Sequence, residues 1–283
     1  MTTVAQALVA ATRDLAKTGD TARLDAELLM AHALGVTRSE LILRHMRDAA
    51  PGTFTALVER RRAHEPVAYI TGHQEFWGLD LAVSPAVLIP RGDTETLIAA
   101  AVERLQGRPP TRVIDLGTGS GALLLAALSR WPDAQGIGTD RSDAALAVAR
   151  ANAERLGLGV RARMITADWT QSRWACGLGR FDLVLANPPY VESGAALDVS
   201  VVAHEPHGAL FAGAQGLDDY RVILPQLADL LAPGGVALIE IGWTQGPAVM
   251  QLARTAGLTA KIHADLAGRP RAVEIFAAAN QIE

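Results

Sequence analysis

A rigid polar tetrapeptide, Asn187-Pro188-Pro189-Tyr190, directly follows an apolar stretch that predicts a β-strand. Its prolines fix the backbone angle φ and lack N–H donors, so the loop's carbonyls are free to accept hydrogen bonds from a ligand. The Asn187 side-chain oxygen and the Pro188 carbonyl can each accept one N–H of a planar nitrogen. Tyr190 can pack against the same plane and face a positive charge. The alternative interpretation is that the tetrapeptide is a structural turn, stiffened by proline and capped by asparagine, without a binding role.

The chemistry that these acceptors suit is transfer of a group to an amide or amine nitrogen. An amide nitrogen is a poor nucleophile because its lone pair is delocalised into the carbonyl. Two acceptors that hold its N–H groups aim the lone pair at an electrophile and favour tetrahedral geometry. Positioning and electrostatics then supply most of the rate gain. Asn187 cannot take up a proton, so we expect the nitrogen to lose its proton after the transfer.

A second motif, Asp115-Leu116-Gly117-Thr118-Gly119-Ser120-Gly121, ends an earlier predicted strand and opens a helix. Glycines let the backbone turn tightly and approach a ligand where a Cβ would clash. Asp140 ends the next strand, where its carboxylate can accept hydrogen bonds from both hydroxyls of a ribose. Gly117, Gly119 and Ala122 also satisfy the dinucleotide pattern G-x-G-x-x-G/A, so an NAD-dependent dehydrogenase competes with other interpretations. A purely structural glycine turn is a further alternative.

Two acidic positions favour a cationic ligand over a dinucleotide. Asp115 places negative charge beside the loop, which disfavours a pyrophosphate but suits the sulfonium and ammonium groups of S-adenosylmethionine. Asp168 follows the third strand and can accept from an adenine amino group. Trp169 can offer its face to the adenine ring, with ordinary packing at the rim as the alternative. These features predict a methyltransferase that uses S-adenosylmethionine and acts on a planar nitrogen.

Alternating strand and helix patterns from residue 110 onward position these motifs and predict an α/β fold with a mostly parallel sheet. The predicted strands are Arg112–Leu116, Gly136–Asp140, Arg163–Thr166, Phe181–Ala186, Val236–Ile241, Lys261–His263 and Ala272–Phe276. The predicted helices are Ala122–Arg130, Asp143–Leu156 and Leu217–Leu231. The connector between the last two strands is too short for a crossover helix, so we expect them to pair antiparallel.

Two smaller parts precede this domain. Leucines recur at helical spacing between breaks in residues 1–65, which predicts four or five short helices there. We expect these helices to form a domain that docks the substrate. These leucines are Leu8, Leu15, Leu24, Leu28, Leu29 and Leu34. Residues 66–90 predict a β-hairpin connector with extended segments at Tyr69–Gly72 and Phe76–Val83. Residues 91–283 form the predicted methyltransferase domain.

Bulk composition narrows the class of partner and the compartment. The chain carries 26 Lys and Arg against 30 Asp and Glu, a net charge of −4, which argues mildly against nucleic acid. A single cysteine, Cys176, excludes an internal disulfide framework. Neither a secretory signal nor an apolar stretch of membrane-spanning length is evident. We expect a cytoplasmic monomer without a metal, a membrane partner or stable nucleic-acid binding.

The chain resembles the peptide chain release factor glutamine N5-methyltransferases (HemK type) from about residue 65 to the C-terminus, and more weakly over the helical N-terminus. Beyond the two motifs, the matching segments are Glu65–Gly72, Glu75–Leu79, Val87–Arg91, Glu205-Pro206, Ala209-Leu210, Glu240–Gly242 and Gln245. The tetrapeptide alone is less specific, because adenine-N6 DNA methyltransferases share it. One departure is Pro90-Arg91-Gly92-Asp93-Thr94-Glu95, where the family reads Pro-Arg-Pro-Glu-Thr-Glu and the lost proline loosens the segment.

The resemblance implies a class I S-adenosylmethionine-dependent methyltransferase fold, a Rossmann-like seven-stranded sheet with an antiparallel last strand, plus the small helical domain. It implies methylation of the glutamine in the Gly-Gly-Gln motif of release factors, which act in translation termination, with S-adenosylhomocysteine as the product. Ribosomal-protein L3 glutamine methyltransferases, nucleic-acid adenine-N6 methyltransferases and silent cofactor-binding proteins are the alternatives. Thr94-Glu95 favours the release-factor branch.

The motifs and the resemblance together assign candidate roles to individual residues. The candidate cofactor contacts are Asp115, Gly117, Thr118, Gly119, Ser120, Gly121, Asp140, Asp168, Trp169 and Asn187. The candidate substrate contacts are Asn187, Pro188, Pro189, Tyr190 and Glu205, and of these Asn187, Pro188 and Tyr190 have catalytic roles.

Overall fold

Alternating helices and strands account for most of the chain, and a computed structural model describes residues 2–277. The helices are α1 (Val4–Leu15), α2 (Ala22–Leu34), α3 (Arg38–Glu40), α4 (Phe54–Arg62), α5 (Val67–Thr71), α6 (Glu95–Arg104), α7 (Ala122–Arg130), α8 (Asp143–Arg155), α9 (Val199–His204), α10 (Asp218–Leu230) and α11 (Gly246–Thr255). The strands are β1 (His73–Phe76), β2 (Leu79–Ala82), β3 (Arg112–Leu116), β4 (Gln135–Asp140), β5 (Ala162–Thr166), β6 (Phe181–Ala186), β7 (Leu231–Glu240), β8 (Leu258–Ala264) and β9 (Pro270–Ala277).

The helices and strands form two units. The smaller unit comprises the chain up to His73 together with Leu197–Glu205, and the larger unit comprises Gln74–Ala196 and the chain from Pro206 onward. The sequence had placed residues 197–205 in the larger domain. The last six residues of that predicted domain, 278–283, lie outside the described range.

The larger unit is built on a seven-stranded sheet with the order β5-β4-β3-β6-β7-β9-β8. Strands β3 to β7 pair in parallel, whereas β9 pairs antiparallel with both β7 and β8. The turn between β8 and β9 is short and is closed by Asp265, whose carboxylate accepts hydrogen bonds from two backbone N–H groups of the turn. The predicted parallel sheet with an antiparallel last strand is confirmed.

Successive residues of the central strands point to opposite faces of this sheet, and helices cover both faces. In β3, Val113 belongs to a core packed by α6, α7 and α8, whereas Ile114 belongs to a second core packed by α10 and α11. Both side chains are fully buried. Burial on two faces explains why the central strands are near-continuous apolar runs in the sequence.

The register of the parallel strands aligns the ends of the predicted motifs. Leu116 of β3 lies beside Thr139 of β4 on one side and Ala186 of β6 on the other. The residues that follow, Gly117, Asp140 and Asn187, therefore leave the sheet side by side. The chain also reverses its direction of winding between β3 and β6, which is where open α/β sheets bind ligands.

The connector contains the predicted hairpin, but its first part is helical. The hairpin is β1 and β2, with Trp77 (φ 53°) and Gly78 (φ 75°) at its turn. Tyr69–Thr71, predicted to be extended, instead lies in α5, so that prediction is wrong. The strand-forming side chains of this segment mislead because tertiary burial of Tyr69 and Ile70 outweighs their local preference.

The smaller unit buries an apolar stripe of its first helix. Val4, Leu8, Ala11 and Leu15 of α1 recur at spacings of three and four residues and are nearly inaccessible. In α2, Ala26, Leu29 and Met30 are buried, whereas Leu24 and Leu28 are 41% and 36% exposed. No helix within residues 2–277 is long and apolar enough to span a membrane.

A buried ion pair ties two helices of the smaller unit together. Arg61 of α4 donates to Asp25 of α2 at 2.7 Å, and their side chains are 11% and 9% exposed. Its neighbours Arg60 and Arg62 are paired with glutamates of the same unit. The three consecutive arginines thus serve ion pairs within this unit.

Candidate functional site

A cavity of about 270 Å³ opens at the carboxyl ends of β3, β4 and β6, and every residue that lines it belongs to the larger unit. Polar groups of the lining come from the loops after these strands. The apolar part of the lining includes Val87, Leu88 and Phe211. A concave site that combines apolar walls with a few convergent polar groups is typical of a binding pocket for a small organic ligand.

The glycine loop forms a cradle that leaves no room for a side chain at Gly117. This residue has a φ of +71°, and a Cβ placed on it would lie 3.0 Å from Cη2 of Trp169. The indole N–H of Trp169 donates to Asp219 at 2.9 Å, which fixes the ring over the loop. The N–H of Thr118 donates to the Thr139 carbonyl at 2.8 Å and ties the loop to β4. The cradle is therefore rigid and open to a ligand.

A buried carboxyl, that of Asp115, is hydrogen-bonded to this loop. The residue is 1% exposed, and its Oδ2 accepts a hydrogen bond from the Thr118 hydroxyl at 2.7 Å. Within the described residues, its Oδ1 has no hydrogen-bond partner, although the residue lines the cavity. Burial raises the pKa of this carboxyl to about 7. A cationic ligand would satisfy the free oxygen and stabilise the ionised form.

Asp140 is already part of the loop's own hydrogen bonding. Its Oδ2 accepts from the N–H of Gly119 at 3.0 Å, and its Oδ1 accepts from the N–H of Ser142 at 2.9 Å. Each carboxylate oxygen has a second lone pair that can accept from a ligand hydroxyl. Asp140 therefore holds the glycine loop and can still accept hydrogen bonds at the cavity that it lines.

Asp168 and Trp169, which follow β5, also line the cavity. Asp168 Oδ1 accepts from the N–H and the hydroxyl of Thr170, and these bonds hold the pKa of its carboxyl below the usual range. Trp169 packs partly against the core under α10 and α11. Trp169 thus contributes to the packing of this core and also lines the cavity.

The tetrapeptide loop is held from behind by three side chains. Asn187 Nδ2 donates to the hydroxyl of Thr94 at 3.4 Å. The Tyr190 hydroxyl donates to Oε1 of Glu240 at 3.1 Å, and the Tyr190 carbonyl accepts from Nε2 of Gln245 at 3.0 Å. Asn187 and Pro189 line the cavity. The hydroxyl of Tyr190 is thus engaged by Glu240 at the back of the loop.

The structure gathers most of the predicted site residues at this cavity. The predicted residues that line it are Asp115, Gly117, Thr118, Gly119, Ser120, Asp140, Asp168, Trp169, Asn187 and Pro189. Three others, Gly121, Pro188 and Tyr190, belong to the same loops but are not among the lining residues of the described chain. Glu205 is buried and belongs to the smaller unit.

Sequence reasoning assigned no role to several residues around the site, among them Thr94, Arg141, Asp219 and Glu240. Arg141 donates to the Gly208 carbonyl at 2.8 Å across the cavity mouth. Glu240 offered a signal in the sequence, because it is a charged residue that ends an apolar strand, as Asp115 and Asp140 do. A search for charged residues at the ends of apolar strands, extended to β7, would have identified Glu240 as a candidate.

Both parts of the chain have counterparts among known proteins. The chain matches the family described as PrmC N-terminal domain over residues 6–72 and the family described as Methyltransferase domain over residues 108–267. It is 44% identical to a release factor glutamine methyltransferase of Moorella thermoacetica, covering 95% of this chain and 96% of that protein. A relative of the same name from Bradyrhizobium diazoefficiens is 43% identical and covers 89% and 87%. The crystal structure of the hMettl16 catalytic domain in complex with MAT2A 3′UTR hairpin 6 shares the fold, with a TM-score of 0.55, 16% identity and coverage of 73% and 78%.

Proposed function

The chain belongs to the release factor glutamine methyltransferase family, and from this premise we propose that it methylates the glutamine side-chain amide in the Gly-Gly-Gln motif of peptide chain release factors with S-adenosylmethionine. The observation that carries the proposal is the meeting of Asp115, Asp140 and Asn187 in one cavity. An anionic group for a cation, an acceptor for a ribose and an acceptor for an N–H group are the functions that this reaction needs.

The polar groups of the cavity fit S-adenosylmethionine. The unpaired Oδ1 of Asp115 suits the cationic end of that molecule, and Asp140 suits its ribose hydroxyls. Asp168 and Trp169 suit the adenine, and the open space around Gly119 allows a ligand to approach the backbone closely. When bound, the cofactor supplies an electrophilic methyl group on a sulfonium.

The substrate amide would be held by the tetrapeptide loop. The side-chain oxygen of Asn187 and the carbonyl of Pro188 would accept the two N–H groups of the glutamine and would orient the lone pair of its nitrogen for the transfer. Because Pro188 and Pro189 are buried and their rings fix φ, the acceptors would keep their positions during the reaction. Asn187 stays neutral throughout, so the proton of the methylated nitrogen passes to water after transfer.

We further propose that residues 1–65 dock the protein substrate and that residues 91–283 carry out the transfer in the cytoplasm, with 66–90 as the connector. The separate match of residues 6–72 to an N-terminal family supports a distinct role for the first part. Removal of residues 1–65 should raise the KM for release factor strongly and change the affinity for S-adenosylmethionine little.

The experiment that tests the proposed function is methyl transfer from labelled S-adenosylmethionine to purified release factor. A release factor with Ala in place of the Gly-Gly-Gln glutamine serves as the control, and ribosomal protein L3 is assayed alongside. Label that appears on the release factor and is lost in the control supports the proposal. Label on ribosomal protein L3 alone, or on neither protein despite measurable cofactor binding, refutes it.

A further inference from the structure

Gln245 lies between β7 and α11, and its side-chain amide bonds three backbone groups at once. Its Oε1 accepts from the N–H of Gly242 at 2.9 Å. Its Nε2 donates to the carbonyl of Tyr190 at 3.0 Å and to the carbonyl of Gly216 at 3.1 Å. Both N–H groups of the amide are thereby used, and a reversed amide would set its oxygen against two carbonyl oxygens. Backbone groups therefore fix this side chain in one orientation.

The two carbonyls that this amide binds stand at the two ends of one segment, residues 191–216. Tyr190 is the last residue of the tetrapeptide and directly precedes the segment, and Gly216 ends it shortly before α10 begins. Residues 197–205 of the segment belong to the smaller unit, whereas the residues on either side of them belong to the larger one. A single amide thus joins the start and the end of segment 191–216 and closes its base.

Glycines allow the backbone to approach this amide closely. A Cβ on Gly216, whose φ is +64°, would overlap the carbonyl oxygen of Tyr190 and would lie 2.7 Å from Nε2 of Gln245. A Cβ on Gly242 would lie 2.9 Å from Oε1 of the same side chain. The absence of a side chain at both positions is therefore what lets the three backbone groups reach one amide. The base of segment 191–216 is closely packed around Gln245.

We propose that Gln245 is a positioning residue for methyl transfer, which holds the tetrapeptide in place by closing the base of segment 191–216. This inference rests on the proposed function, in which acceptors of the tetrapeptide hold the substrate amide. The Tyr190 carbonyl is separated from the Pro188 carbonyl by Pro189, whose ring fixes φ, so a shift at Tyr190 displaces the acceptor. A misplacement of about 1 Å costs roughly a hundredfold in rate.

Two substitutions of Gln245 remove the bonds to the carbonyls. Gln245→Glu keeps the shape and can still accept from Gly242, but a carboxylate cannot donate and would repel both carbonyl oxygens. We expect kcat for release factor to fall between about tenfold and about a hundredfold. The affinity for S-adenosylmethionine should stay within about twofold, because the glycine loop and Asp140 lie on other strands. Gln245→Met, which adds no charge, should show the same split with a smaller loss and serves if Gln245→Glu does not fold.

Gln226→Glu is the matched control for a general loss of stability. Gln226 is a half-buried glutamine of α10, and its Nε2 also donates to two backbone carbonyls, those of Trp169 at 3.1 Å and Val222 at 2.7 Å. The same chemical change therefore removes the same number of bonds away from the tetrapeptide. With saturating S-adenosylmethionine, kcat should stay within about twofold of the wild type. Equal losses of kcat in Gln226→Glu and Gln245→Glu would overturn the inference.

Amide hydrogen exchange tests the closed base without any activity. Near the base, the N–H of Val191 donates to the Leu210 carbonyl at 2.9 Å and the N–H of Ser193 donates to the Gly213 carbonyl at 2.8 Å. These two amides should exchange at least tenfold faster in Gln245→Glu and at the wild-type rate in Gln226→Glu. Unchanged exchange or full kcat in Gln245→Glu would overturn the inference. Lack of methyl transfer by the wild type would refute the proposed function alone, because exchange would still show whether the side chain closes the base.

Discussion

Replacement of Asp115 by asparagine should make the protein more stable against alkaline pH and a weaker binder of S-adenosylmethionine. Asp115 is 1% exposed and its pKa is about 7, against an ordinary value of 3.8, chiefly because of burial. In the unfolded chain the carboxyl has its ordinary pKa. Between these two values the folded protein keeps a proton that the unfolded chain has released.

The sign of the stability effect follows from this difference in proton binding. Asp115 makes its full contribution to the free energy of unfolding below pH 3.8, and that contribution is lost as the pH rises to about 7. Each pH unit in this window costs about 1.4 kcal/mol. Between pH 5 and pH 8 the wild type should therefore lose roughly 2–3 kcal/mol that the Asp115→Asn variant does not lose.

Binding of the cofactor should show the opposite dependence. A cation beside Asp115 favours the ionised carboxyl, so affinity should be highest above pH 8 and fall up to about tenfold per pH unit below pH 7. In Asp115→Asn this dependence should be absent and the affinity lower at pH 8. Urea unfolding at pH 5 and pH 8 measures the first effect, and titration calorimetry over the same range measures the second. If the free energy of unfolding and the cofactor affinity depended on pH in the same way in the wild type and in Asp115→Asn, ionisation of Asp115 would contribute to neither quantity.

Three further substitutions test the cavity. Gly117→Ala should weaken S-adenosylmethionine binding at least tenfold and lower the free energy of unfolding by about 1–3 kcal/mol, because φ is +71° and the new Cβ meets Trp169. Gly107→Ala is the control, because the space around Gly107 is open. Equal effects of the two substitutions in calorimetry and urea unfolding would contradict a special role of Gly117 in the glycine loop. Asp140→Ala should cost about 1.5–3 kcal/mol of cofactor binding, and unchanged calorimetric affinity would remove Asp140 from the ribose site. Asn187→Ala should lower kcat more than it raises KM, whereas steady-state kinetics with kcat intact and KM raised would refute its orienting role.

The elements that the sequence predicted well are those whose signal is local. The strand Phe181–Ala186 and the helix Ala122–Arg130 have the same bounds in the structure, because an apolar run between turn residues marks a strand buried on both faces. Asp115, Asp140 and Asn187 could be placed together because parallel strands bring their carboxyl ends to one edge. The local sequence pattern and the rule for parallel strands were therefore sufficient to predict which of these residues meet at the cavity.

Short secondary-structure elements and contacts between residues distant in the chain could not be predicted from local sequence patterns. Tyr69–Thr71 carries strand-forming side chains, yet Pro66 begins and Gly72 ends a helical turn there, with Gly72 in the left-handed conformation at a φ of 79°. Whether such a five-residue segment is helical depends on what buries it. In the same way, nothing local indicates that Asp93 would pair with Arg271, since 178 residues separate them in the chain.

Unsatisfied polar atoms connect the fold to its function. Within the described residues, three buried side-chain atoms lack a hydrogen-bond partner, namely Asp115 Oδ1, Glu240 Oε2 and Arg271 Nε. Buried polar groups are ordinarily paired, because each unpaired group costs about 1–3 kcal/mol. Of these three residues, Asp115 lines the cavity. A ligand group that pairs with its Oδ1 would therefore remove this cost when it binds, so part of the energy lost by burying the carboxyl returns as affinity.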